Sequence, residues 1–164
     1  MKLNNHIAWI SLGSNISAEQ NIQKAMQSLK DIDRHCQFSS IWETPPVGSQ
    51  GPFFLNAAVK LNTSLPTPEA LKFDLFRPLE EKMGRLRSTD KFAPRTIDID
   101  VLIFDEILVE PLLFKFPHLY IPMAEIFPNF IIPGSRNRLI DLYFSYFSQN
   151  QRPEIKKWSG KQDM

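Results

Sequence analysis

Arg95-Thr96-Ile97-Asp98-Ile99-Asp100-Val101-Leu102-Ile103-Phe104 is the clearest β-strand in the chain. Strand side chains alternate between faces, so Ile97, Ile99, Val101 and Ile103 are expected on the core face. Asp98 and Asp100 then share the opposite face, with Cα atoms about 6.5 Å apart at ~3.3 Å of rise per residue. Two adjacent carboxylates with no base between them repel one another. Hard cations such as Mg²⁺ relieve that repulsion while also gripping phosphate oxygens. An Asp-x-Asp alone would equally suit the solvated face of an antiparallel sheet, so the flanks carry the argument. Residues 82–95 hold Lys82, Arg85, Arg87, Lys91 and Arg95 against Asp90, a local charge of +4. Residues 97–110 hold Asp98, Asp100, Asp105, Glu106 and Glu110 with no base, a local charge of −5. Cations leading into a metal-binding pair are what a polyphosphate site needs.

Working outward, Ile7 to Leu12 reads as a strand stopped by Gly13-Ser14-Asn15. A helix is expected from about Ala18 to Ile32, capped by Ser17 or Ser14, with Ile22, Ala25, Met26 and Leu29 at helical spacing. Strands are expected at Gln37–Thr44 and Phe53–Thr63, with a surface loop at 47–52 between them. A second helix starts at Pro68-Glu69 with Leu71, Leu75, Leu79 and Met83 as its buried face. An interior proline costs about 3 kcal/mol unless the helix kinks, so Pro78 predicts a kink near Asp74. After the 95–105 strand comes a proline-rich stretch, then a helix over Leu139–Phe147. The order strand–helix–strand–strand–helix–strand is the ferredoxin-like α+β arrangement βαββαβ, an antiparallel sheet with helices on one face. The expected organisation is one domain over residues 1–148 and a polar, mobile tail over 149–164.

Composition narrows the function classes. With 164 residues, 43% hydrophobic and 23% charged, the chain can bury a core without staples. Its net charge of +1 argues against a globally basic nucleic-acid binder. An RNA-binding ferredoxin-like module would need exposed aromatics in a positive field, where this sequence offers Asp98 and Asp100. No apolar run approaches the ~20 residues of a membrane span, and Met1 to His6 lacks the pattern of a signal peptide. A cytoplasmic protein is therefore expected. Cys36 is the only cysteine, and nothing around it suggests thiol chemistry.

A second cluster, Thr44-Pro45-Pro46-Val47-Gly48 with Phe54-Leu55-Asn56-Ala57-Ala58, suits reading the edge and face of a flat heterocycle. Paired prolines fix backbone groups, Phe54 can stack, and the Asn56 amide both donates and accepts. The same residues also suit a strand terminus and a core phenylalanine. His118, after Pro117, is a further candidate phosphate or nucleotide contact. The prolines Pro45, Pro46, Pro94, Pro117 and Pro122 all fall in segments expected to frame the site as loops.

Together these segments, with Ile10 to Asn15 and Gly84-Arg85-Leu86-Arg87, resemble the 6-hydroxymethyl-7,8-dihydropterin pyrophosphokinases of folate biosynthesis over roughly residues 7 to 133. The run Pro94 to Asp100 carries most of the specificity. The resemblance implies a ferredoxin-like fold and transfer of pyrophosphate from ATP to the pterin hydroxymethyl oxygen, releasing AMP. Asp98 and Asp100 match the family's ligands for two Mg²⁺ ions. Arg85 and Arg95 match its catalytic arginines, and Arg87, His118 and Glu80 its ATP side. Thr44, Pro45, Val47, Phe54, Asn56 and Phe92 match its pterin pocket. ATP and a hydroxymethyldihydropterin are the implied partners, with no nucleic acid or membrane, in a monomer or weak dimer.

The chain departs from the family pattern in four places. Phe92 stands where tryptophan is usual, and Ala93 where glycine is common. The segment after His118 is shortened, with no arginine between Arg95 and Arg136, leaving Tyr120 or Phe127 to supply the second pterin wall. Pro78 interrupts a helix that the family keeps continuous. The shortened segment leaves open an alternative, a nucleotide- or pterin-binding paralogue with lost or altered activity.

Overall fold

The computed structural model describes residues 5–48 and 50–160; the readings that fall on Met1 to Asn4, Ser49 and the last four residues lie outside these. Strand β1 (His6–Ser14) forms the centre of the sheet because Ala8, Ile10 and Leu12 bury one face and Trp9 the other. It pairs antiparallel with β4 (Phe54–Thr63) and with β5 (Asp98–Phe104). The short strands β2 (Gln37–Phe38), β3 (Trp42–Thr44), β6 (Ile107–Leu108) and β7 (Lys156–Lys157) complete an antiparallel sheet in the order β6-β5-β1-β4-β3-β7, with β2 also on β4. The strand expected over Gln37–Thr44 is interrupted where the Ser39 hydroxyl accepts the Ala58 N–H at 2.8 Å, taking the place of a ladder carbonyl.

Helix α1 (Ala18–Ile32) has the expected bounds and buries Ile22, Ala25 and Leu29 against the sheet. Burial of an Ile or Leu side chain stabilises by roughly 2 kcal/mol. Its start is not capped as expected: Ser17 adopts a left-handed conformation (φ 41°) with no capping bond. Ser14 Oγ instead donates to the carbonyls of Thr96 (2.6 Å) and Ile16 (3.2 Å), and Asn21 Nδ2 also donates to the Ile16 carbonyl, at 2.7 Å.

The second helical segment is built from α2 (Pro68–Ala70), a π-helical turn (Leu71–Phe76) and α3 (Arg77–Lys82). In α-geometry the Pro78 ring would strike the Asp74 carbonyl. The wider turn removes that clash, and Arg77 N–H bonds to Lys72 O, five residues back. The proline thus perturbs the helix where expected, with a consequence for its buried face. Leu71, Phe76 and Glu80 are fully buried, at spacings of five and four, while Leu75, Leu79 and Met83 only flank the core.

A bulge shifts the register of β5: Ile10 pairs with Val101 but Trp9 with Ile103, leaving Leu102 as an extra residue. Ile97, Ile99 and Val101 therefore share one core as expected, but Ile103 turns to the other face and Phe104 takes its place. The crossover segments α1 and α2–α3 lie on one face of the ferredoxin-like sheet. Beyond them, α4 (Pro117–Ile126) and α5 (Leu139–Gln149) cover half of the other face, around Trp9, Trp42 and Ala58. Helix α4 lies where a loop was expected. Pro117 occupies a first-turn position that needs no N–H donor, and Pro122 forgoes only the bond to the His118 carbonyl. Glu125 fixes this helix to the sheet by accepting from Trp42 Nε1 and from Ser40 Oγ at 2.8 Å. Within the described part of the segment expected as a mobile tail, β7 pairs with β3, Ile155 is buried and Trp158 packs on the core.

Candidate active site

The uncovered half of that second face is the floor of the site. Cross-strand pairing sets Asn56, Gly13 and Asp98 in one row and Ser11 beside Asp100 in the next. Gly13 keeps the row open, since a Cβ there would lie 3.1 Å from Asn56 Oδ1. The turn after β1 holds the incoming strand. Asn15 Oδ1 accepts from Arg95 N at 2.6 Å, and Asn15 N donates to Arg95 O at 3.1 Å. A turn with no assigned chemistry in the sequence thus positions the backbone of Arg95.

Two cavities open from this floor. The first, about 380 Å³, is lined by Thr44, Pro45, Val47, Phe54, Asn56 and Phe92, which are all the residues expected to hold a pterin. Asn56 Nδ2 donates to Thr44 Oγ1, leaving Oδ1 as a free acceptor among the described residues. Phe92 closes over Gly48, whose positive φ (73°) and lack of a Cβ make room; a Cβ would come within 2.7 Å of the ring. The expected second wall is different. Tyr120 is buried in the α4 core and Phe127 stacks on Trp9, with ring centroids 3.9 Å apart. Phe116 lines the cavity instead, and it is followed two residues later by His118. His118, expected on the ATP side, also opens into this first cavity. Burial drives its pKa down to about 4, so the imidazole is neutral at pH 7.

The second cavity, about 230 Å³, is lined by Lys72, Phe76, Arg77, Glu80, Arg85 and Arg87. Arg95, Asp98 and Asp100 line both cavities. Glu80, only 3% exposed, organises the cavity. Its carboxylate accepts from Arg85 (3.0 Å), Arg87 (2.8 Å) and the Ile99 N–H (2.9 Å). Burial pushes its pKa up, against the pull of the Ile99 hydrogen bond and the Arg85 charge. Arg85 and Arg95 both also grip Asp98. Burial alone would lower the Arg85 pKa, but Asp98 and Glu80 outweigh it and raise it.

Asp100 is accessible from the cleft yet enclosed by its walls. That enclosure and the Asp98 charge raise its pKa to about 6. Unlike Asp98, its carboxylate has no hydrogen-bond partner among the described residues, where no group of three or more His, Cys, Asp or Glu is placed to hold a metal alone. An under-compensated carboxylate beside a second one fits a hard divalent cation whose remaining ligands are phosphate oxygens and water. The thirteen residues matched to the family's metal, ATP and pterin positions therefore each line one cavity or the other, whereas Tyr120 and Phe127, expected as the second pterin wall, line neither. The sequence reading missed Lys72 and Arg77, which the π-turn carries into the second cavity, and Phe116 and Glu110 in the first.

Comparison with known proteins bears on the family and on the fold. The family model for 7,8-dihydro-6-hydroxymethylpterin-pyrophosphokinase matches residues 9–128. The chain is 37% identical over 136 residues to the 2-amino-4-hydroxy-6-hydroxymethyldihydropteridine pyrophosphokinase of Bacillus subtilis, covering 74% of this chain and 78% of that one. It is 32% identical over 151 residues to the protein of the same name from Synechocystis, covering 84% and 74%. In fold it is similar to the Plasmodium falciparum HPPK-DHPS A437G crystal structure with SDX-DHP, at a TM-score of 0.72 and 13% identity. That match covers 94% of this chain and 49% of the other, so the chain spans about half the length of that protein. On the strength of the family match and these relatives, the chain belongs to the 7,8-dihydro-6-hydroxymethylpterin-pyrophosphokinase family.

Proposed function

We propose that the chain transfers the β,γ-pyrophosphoryl group of ATP to the hydroxymethyl oxygen of 6-hydroxymethyl-7,8-dihydropterin, a step of folate biosynthesis that releases AMP. The observation that carries this reading is the pair of cavities with unlike linings that share Arg95, Asp98 and Asp100. One suits a flat, hydrogen-bonding heterocycle and the other a polyanion.

In the first cavity Phe54 and Phe92 offer faces for the pterin ring, while Thr44 and Asn56 offer polar groups for its edge. Pro45 and Val47 hold the loop that shapes its rim. In the second, Arg85 and Arg87 receive phosphate oxygens, oriented by Glu80. Asp98 and Asp100 would hold two Mg²⁺ ions together with ATP, supplying charge neutralisation and a more acidic acceptor hydroxyl. Arg85 and Arg95, released from Asp98, turn to the charge that grows as the oxygen attacks the β-phosphorus and the bond to the α-phosphate oxygen breaks. The hydroxyl proton leaves to solvent. His118, neutral at pH 7, can donate or accept a single hydrogen bond at the cavity wall. Among the described residues no helix is long and apolar enough to cross a membrane.

The test is to follow nucleotide products from ATP, Mg²⁺ and hydroxymethyldihydropterin. AMP and the pterin pyrophosphate are expected in equal amounts, and Asp98→Asn is expected to abolish both. Formation of ADP, or no turnover at all, would contradict the assignment.

A further inference from the structure

The second cavity holds more positive charge than the family resemblance assigned to it. Five cations, Lys72, Arg77, Arg85, Arg87 and Arg95, face three carboxylates, Glu80, Asp98 and Asp100. Arg85, Arg87 and Arg95 are each ion-paired to Glu80 or Asp98. Arg77 differs from them. Its Nε is buried with no hydrogen-bond partner, and its side chain makes no ion pair among the described residues. The guanidinium lies 4.4 Å from the centroid of the Phe73 ring, so its orientation is fixed by stacking rather than by a carboxylate.

A buried donor without an acceptor is destabilising and is kept where something else satisfies it. Stacking leaves the in-plane N–H groups of a guanidinium free for bidentate contact with phosphate. The local backbone explains why this residue reaches the cavity. The π-helical turn over Leu71–Phe76 puts Phe76 and Glu80 in the buried row and leaves Arg77, with Lys72, in the cavity lining.

We propose that Arg77, with Lys72 beside it, binds phosphate oxygens of the nucleotide donor, as an added anchor for the polyphosphate chain. The identity of the donor rests on the function proposed above; the recognition of a polyphosphate does not. Arg77 holds the phosphate chain in the ground state, whereas Arg85 and Arg95 meet the charge that develops during transfer.

Titration calorimetry with inorganic tripolyphosphate and with α,β-methylene-ATP, both with Mg²⁺, tests this. Arg77→Gln is expected to weaken both ligands about tenfold or more, as the loss of a charged hydrogen-bonded contact does, with Arg77→Lys intermediate. In turnover, KM for ATP rises while kcat and KM for the pterin hold. Lys24→Gln, which removes a charge on the exposed face of α1, leaves affinity unchanged. Should Arg77→Gln disturb folding, the Arg77 Nε–H resonance of the unaltered protein gives the answer, because it shifts on adding tripolyphosphate if Arg77 binds it. An unmoved resonance, or equal affinity in Arg77→Gln and the unaltered protein, overturns the proposal. If tripolyphosphate binds through Arg77 but no AMP is ever formed, the anchor stands and the pyrophosphokinase reading falls.

Discussion

The two cavities meet at three residues but are built in different ways. The second comes from two nearby stretches, residues 72–87 and 95–100, and is held by ion pairs that converge on the buried Glu80. The first is assembled from β1, β3, β4, the 91–93 loop and the start of α4, with few hydrogen bonds between its walls. A polyanion site needs concentrated charge, and neighbouring residues supply it through one buried carboxylate. A heterocycle site needs walls at fixed separation, which only the sheet and its loops can set. The contrast predicts that damage to the second cavity lowers rate or stability, and damage to the first lowers acceptor affinity.

The largest effect should come where the cavities join. Arg95→Ala is expected to lower kcat by about 10³-fold with little change in Tm, measured by AMP release and thermal melting. A change confined to KM for the pterin would assign Arg95 to the first cavity alone. Next, Glu80→Ala leaves Arg87 and the Ile99 N–H without their acceptor and takes from Arg85 one of its two carboxylates. Breaking a buried pair costs about 3 kcal/mol or more, so urea denaturation should show a loss of that order. A loss below about 1 kcal/mol would mean that the arginines do not depend on Glu80.

Phe54→Ala should weaken the pterin by about tenfold through lost stacking and burial, leaving α,β-methylene-ATP binding intact. Equal losses for both ligands would erase the distinction between the cavities. Gly48→Ala, which drives a Cβ into Phe92, should act in the same direction more weakly, read as a several-fold rise in KM for the pterin.

The smallest effect concerns pH in metal-free protein. Asp100 titrates near 6 in the fold, above its ordinary 3.8, so it binds its proton more tightly when folded. Its contribution to stability is present below pH 4 and is lost as pH rises through 6. His118 titrates near 4 against an ordinary 6.5, because burial disfavours its charged form. Its contribution is present above pH 6.5 and is lost as pH falls through 4. The two slopes oppose one another, so Tm should vary little from these groups between pH 4 and 6. Asp100→Asn should leave a Tm that rises with pH, and His118→Gln one that falls. Identical profiles in both variants would show that neither group is held as described.

The sequence was most legible where one period ran unbroken. The alternation from Ile97 to Val101 placed Asp98 and Asp100 together, and the helical spacing of Ile22, Ala25 and Leu29 gave α1 its bounds. It was least legible where a local event broke the period. The bulge at Leu102 moved Ile103 to the other face, and the π-turn moved the buried row from Leu75 and Leu79 to Phe76 and Glu80. Helix α4 is buried almost all round, so it has no polar stripe to reveal it. Its two prolines disguised it further, and with it went the placement of Phe116 and His118. The ion pairs of Glu80 with Arg85 and Arg87 span five and seven residues across the end of α3, outside the i+3 and i+4 spacings by which helical charge pairs are read.

The central claim is that donor and acceptor occupy separate cavities and meet over Asp98 and Asp100. It is tested most directly by a crystal structure with α,β-methylene-ATP, Mg²⁺ and hydroxymethyldihydropterin bound together. The pterin is expected between Phe54 and Phe92 and the phosphates among Arg77, Arg85 and Arg87. The hydroxymethyl oxygen should lie about 3–3.5 Å from the β-phosphorus, beside metal held by both aspartates. Phosphates in the first cavity, or a reacting pair remote from Asp98 and Asp100, would contradict it.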